Sequence, residues 1–242
     1  MAALGLIFGL LLIVKLGREQ GLNPDKLWNL GLIAIISGIV GAKLLMFVTE
    51  PEYLRHPADI FSLATLQAAG VWSGGFLLAL VMCVWYMKAN NMPVLRTCDV
   101  FAPGLALGHA FGRVGCFLNG CCYGKACSLP WAVRFPVPHP MAGIPVHPTE
   151  IYEALGNAFI FFGLMFLYRK KRFDGQIWWG YVLSYGMLRF AVEFFRGDYA
   201  RYYFGILTIG HFIAAAMILI ALAALVTFRS RMKKSVRAPA VR

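Results

Sequence analysis

GRVGCFLNGCCYG, residues 112–124, places a guanidinium, an amide and three thiols at the end of an otherwise apolar run. Lipid makes each of those groups costly, so an ionisable residue at that depth is read as functional by default. Arg113 is therefore the residue around which the rest of the chain is interpreted.

With 60% hydrophobic and 14% charged residues in 242, the chain carries more apolar surface than a single water-soluble core can hide. Apolar runs at about 4–16, 27–48, 70–87, 97–118, 151–168, 177–195 and 203–228 predict an all-α integral membrane protein of about seven transmembrane helices. Leu4–Val14 is short for a span, and basic residues follow it instead of preceding it, so it is not read as a signal peptide. Either that helix is short or the start is truncated.

Fifteen of the 23 basic residues fall on one side of this arrangement, including Lys15, Lys88, the run Arg169–Arg172 and the tail from Arg229 onward. Cytoplasmic loops collect Lys and Arg, which predicts an external N-terminus and a cytoplasmic C-terminus. The net charge of +12 is spread over short loops, so it reports topology and anionic-lipid contact and not nucleic-acid binding.

No repeat or linker divides the chain, which predicts one domain over 1–242. The one long connection, about Cys121 to Glu150, holds six prolines from Pro130 to Pro148 and is expected to form an irregular external cap between helices four and five. The segment Pro51–Ala69, with Tyr53, Ile60, Phe61, Leu63 and Leu66, reads as an interfacial amphipathic piece. Gly104, Gly108 and Gly112 form a small-xxx-small ladder on helix four that ends beside Arg113.

Two further polar clusters sit where Arg113 does, at outer helix ends. In YGMLRFAVEFFRGD, residues 185–198, Tyr185, Arg189, Glu193 and Arg196 share one face of helix six. In HPTEIYE, residues 147–153, the cap enters helix five, with Thr149 a candidate cap and Glu153 in the first turns.

Together these three segments resemble the bacterial prolipoprotein diacylglyceryl transferases, whose pattern runs roughly GRxG[NC]FxNG, HPxQxYE and YGxxRFxxEFxR. The likeness extends upstream to SGIVGAKL and Trp72-Ser73-Gly74-Gly75, so it covers most of residues 30–200. It implies a plasma (inner) membrane enzyme that moves the diacylglyceryl group of phosphatidylglycerol onto the lipobox cysteine of a preprolipoprotein, giving a thioether and glycerol phosphate. Its partners are membrane lipid and preprolipoprotein signal peptides, with no cofactor and no metal expected. Arg113 and Arg189 are candidates for phosphate contact, since a guanidinium makes paired charge-assisted hydrogen bonds to phosphate oxygens. Glu193 is a candidate for holding Arg189. Gly112, Asn119, Gly124, His147, Tyr185 and Arg196 are candidates for substrate binding, and Glu153 and His147 both qualify as acceptors of the thiol proton. The chain departs from the pattern at Ser73, Cys116, Cys121 and Glu150, where many members have His or Tyr, Asn, Glu and Gln.

Two rival readings stand beside this one. Cys116, Cys121, Cys122 and Cys127 form C-x4-C-C-x4-C, which would suit a metal, a disulfide or thiol redox chemistry. That spacing is not a usual zinc pattern, and adjacent cysteines are not expected to share one compact site. An anion transporter would explain the arginine stripe, but related halves and broken helices are not apparent in the sequence.

Overall fold

The computed structural model describes residues 1–49, 71–198 and 203–237. Among them are seven α-helices: α1 (Ala2–Glu19), α2 (Pro24–Thr49), α3 (Trp72–Ala89), α4 (Val94–Asn119), α5 (Thr149–Tyr168), α6 (Gln176–Glu193) and α7 (Ile209–Arg237). Three stretches, Pro24–Thr49, Thr149–Tyr168 and Ile209–Ser230, are long and apolar enough to cross a membrane. The expected interfacial segment Pro51–Ala69 lies outside the described residues. At 18 residues, α1 is longer than its apolar run suggested, because the helix continues through Lys15 and Arg18.

The outward faces are apolar. Phe159, Phe162 and Phe166 on α5 are 77%, 67% and 66% exposed, a row of large side chains suited to acyl chains and not to water.

The described residues pack as two compact units, Val14–Thr97 and Met1–Ile13 with Cys98–Arg242. In the first, α2 crosses α3 at a glycine contact. A Cβ on Gly41 would fall on the Gly74 carbonyl and within 2.7 Å of the Leu78 Cβ. Small residues permit this approach, and dispersion between the helices replaces a hydrophobic drive that lipid does not supply. At the other end of the pair, Lys26 Nζ donates to Asn90 O at 2.9 Å.

In the second unit the start of α1 packs on the glycine ladder of α4. A Cβ on Gly9 would lie 2.8 Å from Gly104 O, and one on Gly5 2.9 Å from Gly108 O. The third member differs: no described heavy atom lies within 4 Å of a Cβ on Gly112. Among the described residues the ladder is therefore closed by α1 along most of its length and open beside Arg113.

Helices α5, α6 and α7 pack in chain order. The N-terminus of α6 has no side-chain cap of its own at Gly175. Asp99 on α4 supplies one from 76 or more residues away. Its Oδ2 accepts from Gly175 N at 2.8 Å, and its Oδ1 accepts from Ile177 N and Trp178 N, both at 2.9 Å. Lys171 Nζ, 3.5 Å from Oδ2, balances the buried charge. Asp99→Ala would strand three amides, two of them buried, that a helix start must satisfy. It should cost about 2–4 kcal/mol, read as a lowered melting temperature in detergent micelles, with Asp99→Asn intermediate. An unchanged melting temperature for Asp99→Ala would refute this account of the junction.

The long connection after α4 is irregular except for two paired two-residue strands, β1 (Val133–Arg134) and β2 (Pro145–Val146), with Val133 opposite Val146. His139 ties this cap to the end of α4. Its Nδ1 accepts from Met141 N at 3.0 Å, so the proton sits on Nε2, which donates to Gly120 O at 2.7 Å. Thr149 does not cap α5. Pro148 occupies that position, and the Thr149 hydroxyl instead donates to Cys122 O at 2.8 Å, fastening the cap to the helix start.

Candidate active site

Arg113 comes from the last turns of α4, Glu153 from the start of α5 and Arg189 from the last turns of α6. The Glu153 carboxylate stands between the two guanidiniums, with Oε2 2.6 Å from Arg113 Nε and Oε1 accepting from Arg189 Nη1 at 3.0 Å. The Arg113 contact is an ion pair in distance but lacks the alignment of a hydrogen bond. Arg189 also reaches Glu193 Oε2 through Nη2 at 2.7 Å. Both carboxylate side chains are essentially buried, at 2% and 0% exposure, while each arginine retains 14%.

Two cations and two carboxylates cancel in this cluster. An incoming anion would therefore be held by oriented N–H donors and not by excess charge. Glu153 takes the Nε edge of Arg113, which leaves the terminal Nη pair outside that contact. Such a fork is the part of a guanidinium that matches two phosphate oxygens.

Several side chains fix this geometry. Glu193 also accepts a short hydrogen bond from the Thr208 hydroxyl at the entrance to α7. His211 Nδ1 in turn accepts from Thr208 N at 3.0 Å. Gly210 is required here, because a Cβ would land on the Glu193 carboxylate. Tyr185, one turn before Arg189, neighbours Arg113 and packs its ring 4.8 Å from that of His109.

The remaining candidates occupy distinct settings. Arg196 pairs with Asp198, its Nε donating to Oδ1 at 2.9 Å. His147 lies in an aromatic corner, its Nδ1 3.3 Å from the Tyr152 hydroxyl and its ring 5.1 Å from that of Phe195. Burial lowers its pKa, so the ring is neutral near pH 7. Gly124 sits at a backbone crossing: it donates to His147 O at 3.0 Å, and a Cβ would come within 2.5 Å of the same carbonyl. Gly197 closes the crossing from the other side, its N–H donating to Tyr123 O at 3.1 Å. Asn119 is exposed at the end of α4. A hydrogen bond from the Cys116 thiol, then the Arg196 and Arg113 guanidiniums, hold the Cys122 thiol well below its ordinary range, at about 5, against the opposing effect of burial.

Sequence reasoning paired Arg189 with Glu193 along one helix and treated Glu153 as a head-group ligand or base. Glu153 is in addition the bridge between the two arginines. Asp99, Asp198, Thr208, His211 and Gly210 were not singled out at all. A lone acid in an apolar helix, as at Asp99, is the one signal among these that sequence offers.

The site and the basic run Arg169–Arg172 lie at opposite ends of α5, a helix of 20 residues and so about 30 Å long. That is the thickness of a bilayer's hydrocarbon core.

Comparison with known proteins agrees with the motifs. The phosphatidylglycerol–prolipoprotein diacylglyceryl transferase of Clostridium tetani is 36% identical over 199 residues, covering 82% of this chain and 79% of that protein. The enzyme of the same name from Finegoldia magna is 31% identical over 97% of this chain and 92% of its own length. Clostridium perfringens supplies a third, numbered 2 in that organism, 34% identical over 88% and 83%. The family model described as prolipoprotein diacylglyceryl transferase matches residues 1–227, a range that contains Arg113, Glu153 and Arg189, and the chain belongs to that family.

Proposed function

We propose that this protein transfers the diacylglyceryl group of phosphatidylglycerol to the cysteine thiol of prolipoproteins. The observation that carries the reading is the pair of guanidiniums from α4 and α6 held on one buried carboxylate of α5, in a chain that matches the transferase family over residues 1–227. In the reaction the acceptor thiolate forms a bond to an sp3 carbon of the lipid glycerol. The bond from that carbon to the phosphate oxygen breaks, and glycerol phosphate leaves.

The phosphate begins as a monoanion and departs carrying a second negative charge. Arg113 and Arg189 bind it, and their hydrogen bonds strengthen as that charge develops, which is the differential stabilisation a catalyst needs. Glu153 and Glu193 are positioning residues that hold the two forks. Glu153 is engaged by both arginines, whereas the neutral His147 ring is chemically suited to accept the thiol proton. Gly112 leaves space beside Arg113 for the head group, with Tyr185 and Asn119 at its margin and Arg196 and Gly124 shaping the cap above it.

We place the protein in the bacterial plasma membrane with seven spans, its N-terminus and cap outside, its C-terminus in the cytoplasm and the reaction near the outer leaflet. The test has two arms. Purified protein incubated with phosphatidylglycerol and a lipobox peptide should yield a peptide heavier by one diacylglyceryl group, and an unmodified peptide would reject the transferase assignment. In a cysteine-free background, Ser128→Cys in the cap should label with an impermeant maleimide in intact cells and Lys170→Cys only after permeabilisation. The reverse pattern would invert the topology and leave the chemistry standing.

A further inference from the structure

Cys116 ends α4 and Cys121–Cys122 open the cap, yet their three Sγ atoms all lie within 4.8 Å of one another. Adjacent cysteines were not expected to share a compact site, because successive side chains of an extended segment point apart. The physical reason they do so is local. Cys122 takes a left-handed backbone, φ 70°, directly after Gly120 at φ 71° and Cys121, so the chain curls back over the end of α4. This conformation is uncommon for a residue with a side chain and persists only where the surroundings enforce it. Here Cys121 N donates to Cys116 O at 3.1 Å, the Thr149 hydroxyl holds Cys122 O at 2.8 Å, and Gly124 is locked in its crossing with His147.

We propose that Cys116, Cys121 and Cys122 form a three-thiolate site for a thiophilic divalent cation of the Zn2+ class, clamping the cap to the end of α4. Zinc binds thiolate sulfur at about 2.3 Å, so a tetrahedral site needs sulfurs roughly 3.8 Å apart. The observed triangle is within a small contraction of that spacing. A fourth ligand comes from outside the three thiols. A disulfide would use two of the sulfurs and leave the third idle, whereas the structure converges all three. Cys127 belongs to the cap but not to this triangle, which supplies an internal control.

The inference is independent of the transferase reading, and its test uses neither lipid nor peptide. The full chain, reduced and held anaerobically in detergent, is titrated with Co2+ as a spectroscopic substitute for zinc. One Co2+ per chain should bind, with an intense thiolate-to-cobalt charge-transfer band. Excess Zn2+ should abolish the band. Cys116→Ser, Cys121→Ser and Cys122→Ser should each weaken binding by about 100-fold or more, while Cys127→Ser and Cys83→Ser leave it unchanged. In the unsubstituted protein, bound Zn2+ should also protect those three thiols, and not Cys127, from alkylation mapped by mass spectrometry. This second measurement holds even if a variant fails to fold. Absence of the charge-transfer band, its survival in Cys121→Ser or Cys122→Ser, or equal alkylation with and without Zn2+ would overturn the proposal.

Discussion

Arg113→Lys and Arg189→Lys should each reduce diacylglyceryl transfer by about two orders of magnitude while leaving a folded, extractable protein. Lysine keeps the positive charge, so the test separates charge from geometry. Arg113 meets Glu153 through Nε, and Arg189 spans Glu153 with Nη1 and Glu193 with Nη2. An ammonium is a point charge with no planar edge. At position 189 it can satisfy one carboxylate or the other but not both in the observed arrangement, and at 113 it has no second pair of donors for phosphate. A hydrogen bond made to an ionised partner in a site sheltered from water is worth more than its solution value, and loss of one such donor from a preorganised site typically costs a few kcal/mol of transition-state stabilisation. The measurement is initial rate of adduct formation at saturating phosphatidylglycerol, with melting temperature as the folding control. If both lysine variants turn over at near-normal rates, the two arginines do not hold the phosphate.

How far this site was legible in the sequence follows from what periodicity can encode. Tyr185, Arg189 and Glu193 recur at helical spacing, so their common face and the Arg189–Glu193 pair could be read directly. The ladder Gly104–Gly108 likewise announced a close helix contact, and Gly5 and Gly9 on α1 supply its other half. Seven apolar runs correspond to seven helices among the described residues, with ends that move by a few positions where charged residues continue a helix. Contacts between helices carry no such periodic mark. Arg113, Glu153 and Arg189 are separated by 40 and 36 residues, and Asp99 reaches α6 across 76 or more. Their sequence trace is only that each is a charge where charge is costly.

The cap illustrates a different limit. Its prolines excluded helix correctly, but its cohesion depends on backbone conformations and single side-chain bonds that composition does not report. The left-handed turn at Cys122 and the tautomer-defining pair of bonds at His139 are of this kind. The consequence for function is that the entrance to α5 is fastened from above, so Glu153 is held from both its own helix and the cap-bound Thr149 four residues earlier.

Glu153→Ala should be the most damaging single change in the cluster, lowering both activity and stability. The carboxylate is 2% exposed and contacts both guanidiniums. Removing it leaves two cations facing each other across a cavity, with Glu193 still beside Arg189. Breaking a buried ion pair from one side costs about 3–5 kcal/mol because a desolvated charge is left unmatched. Transfer should fall at least about 100-fold, since both proposed phosphate ligands lose their fixed orientation. Glu153→Gln keeps the shape and one acceptor oxygen, so it should lose activity yet melt closer to the parent. The decisive comparison is a double-mutant cycle on melting free energy. Arg113→Ala in the Glu153→Ala background removes one of the two repelling cations, so the pair should be less destabilised than the sum of the single changes by about 1–3 kcal/mol. Strict additivity would mean that Arg113 and Glu153 do not interact energetically, and the bridge on which the site is built would have to be abandoned.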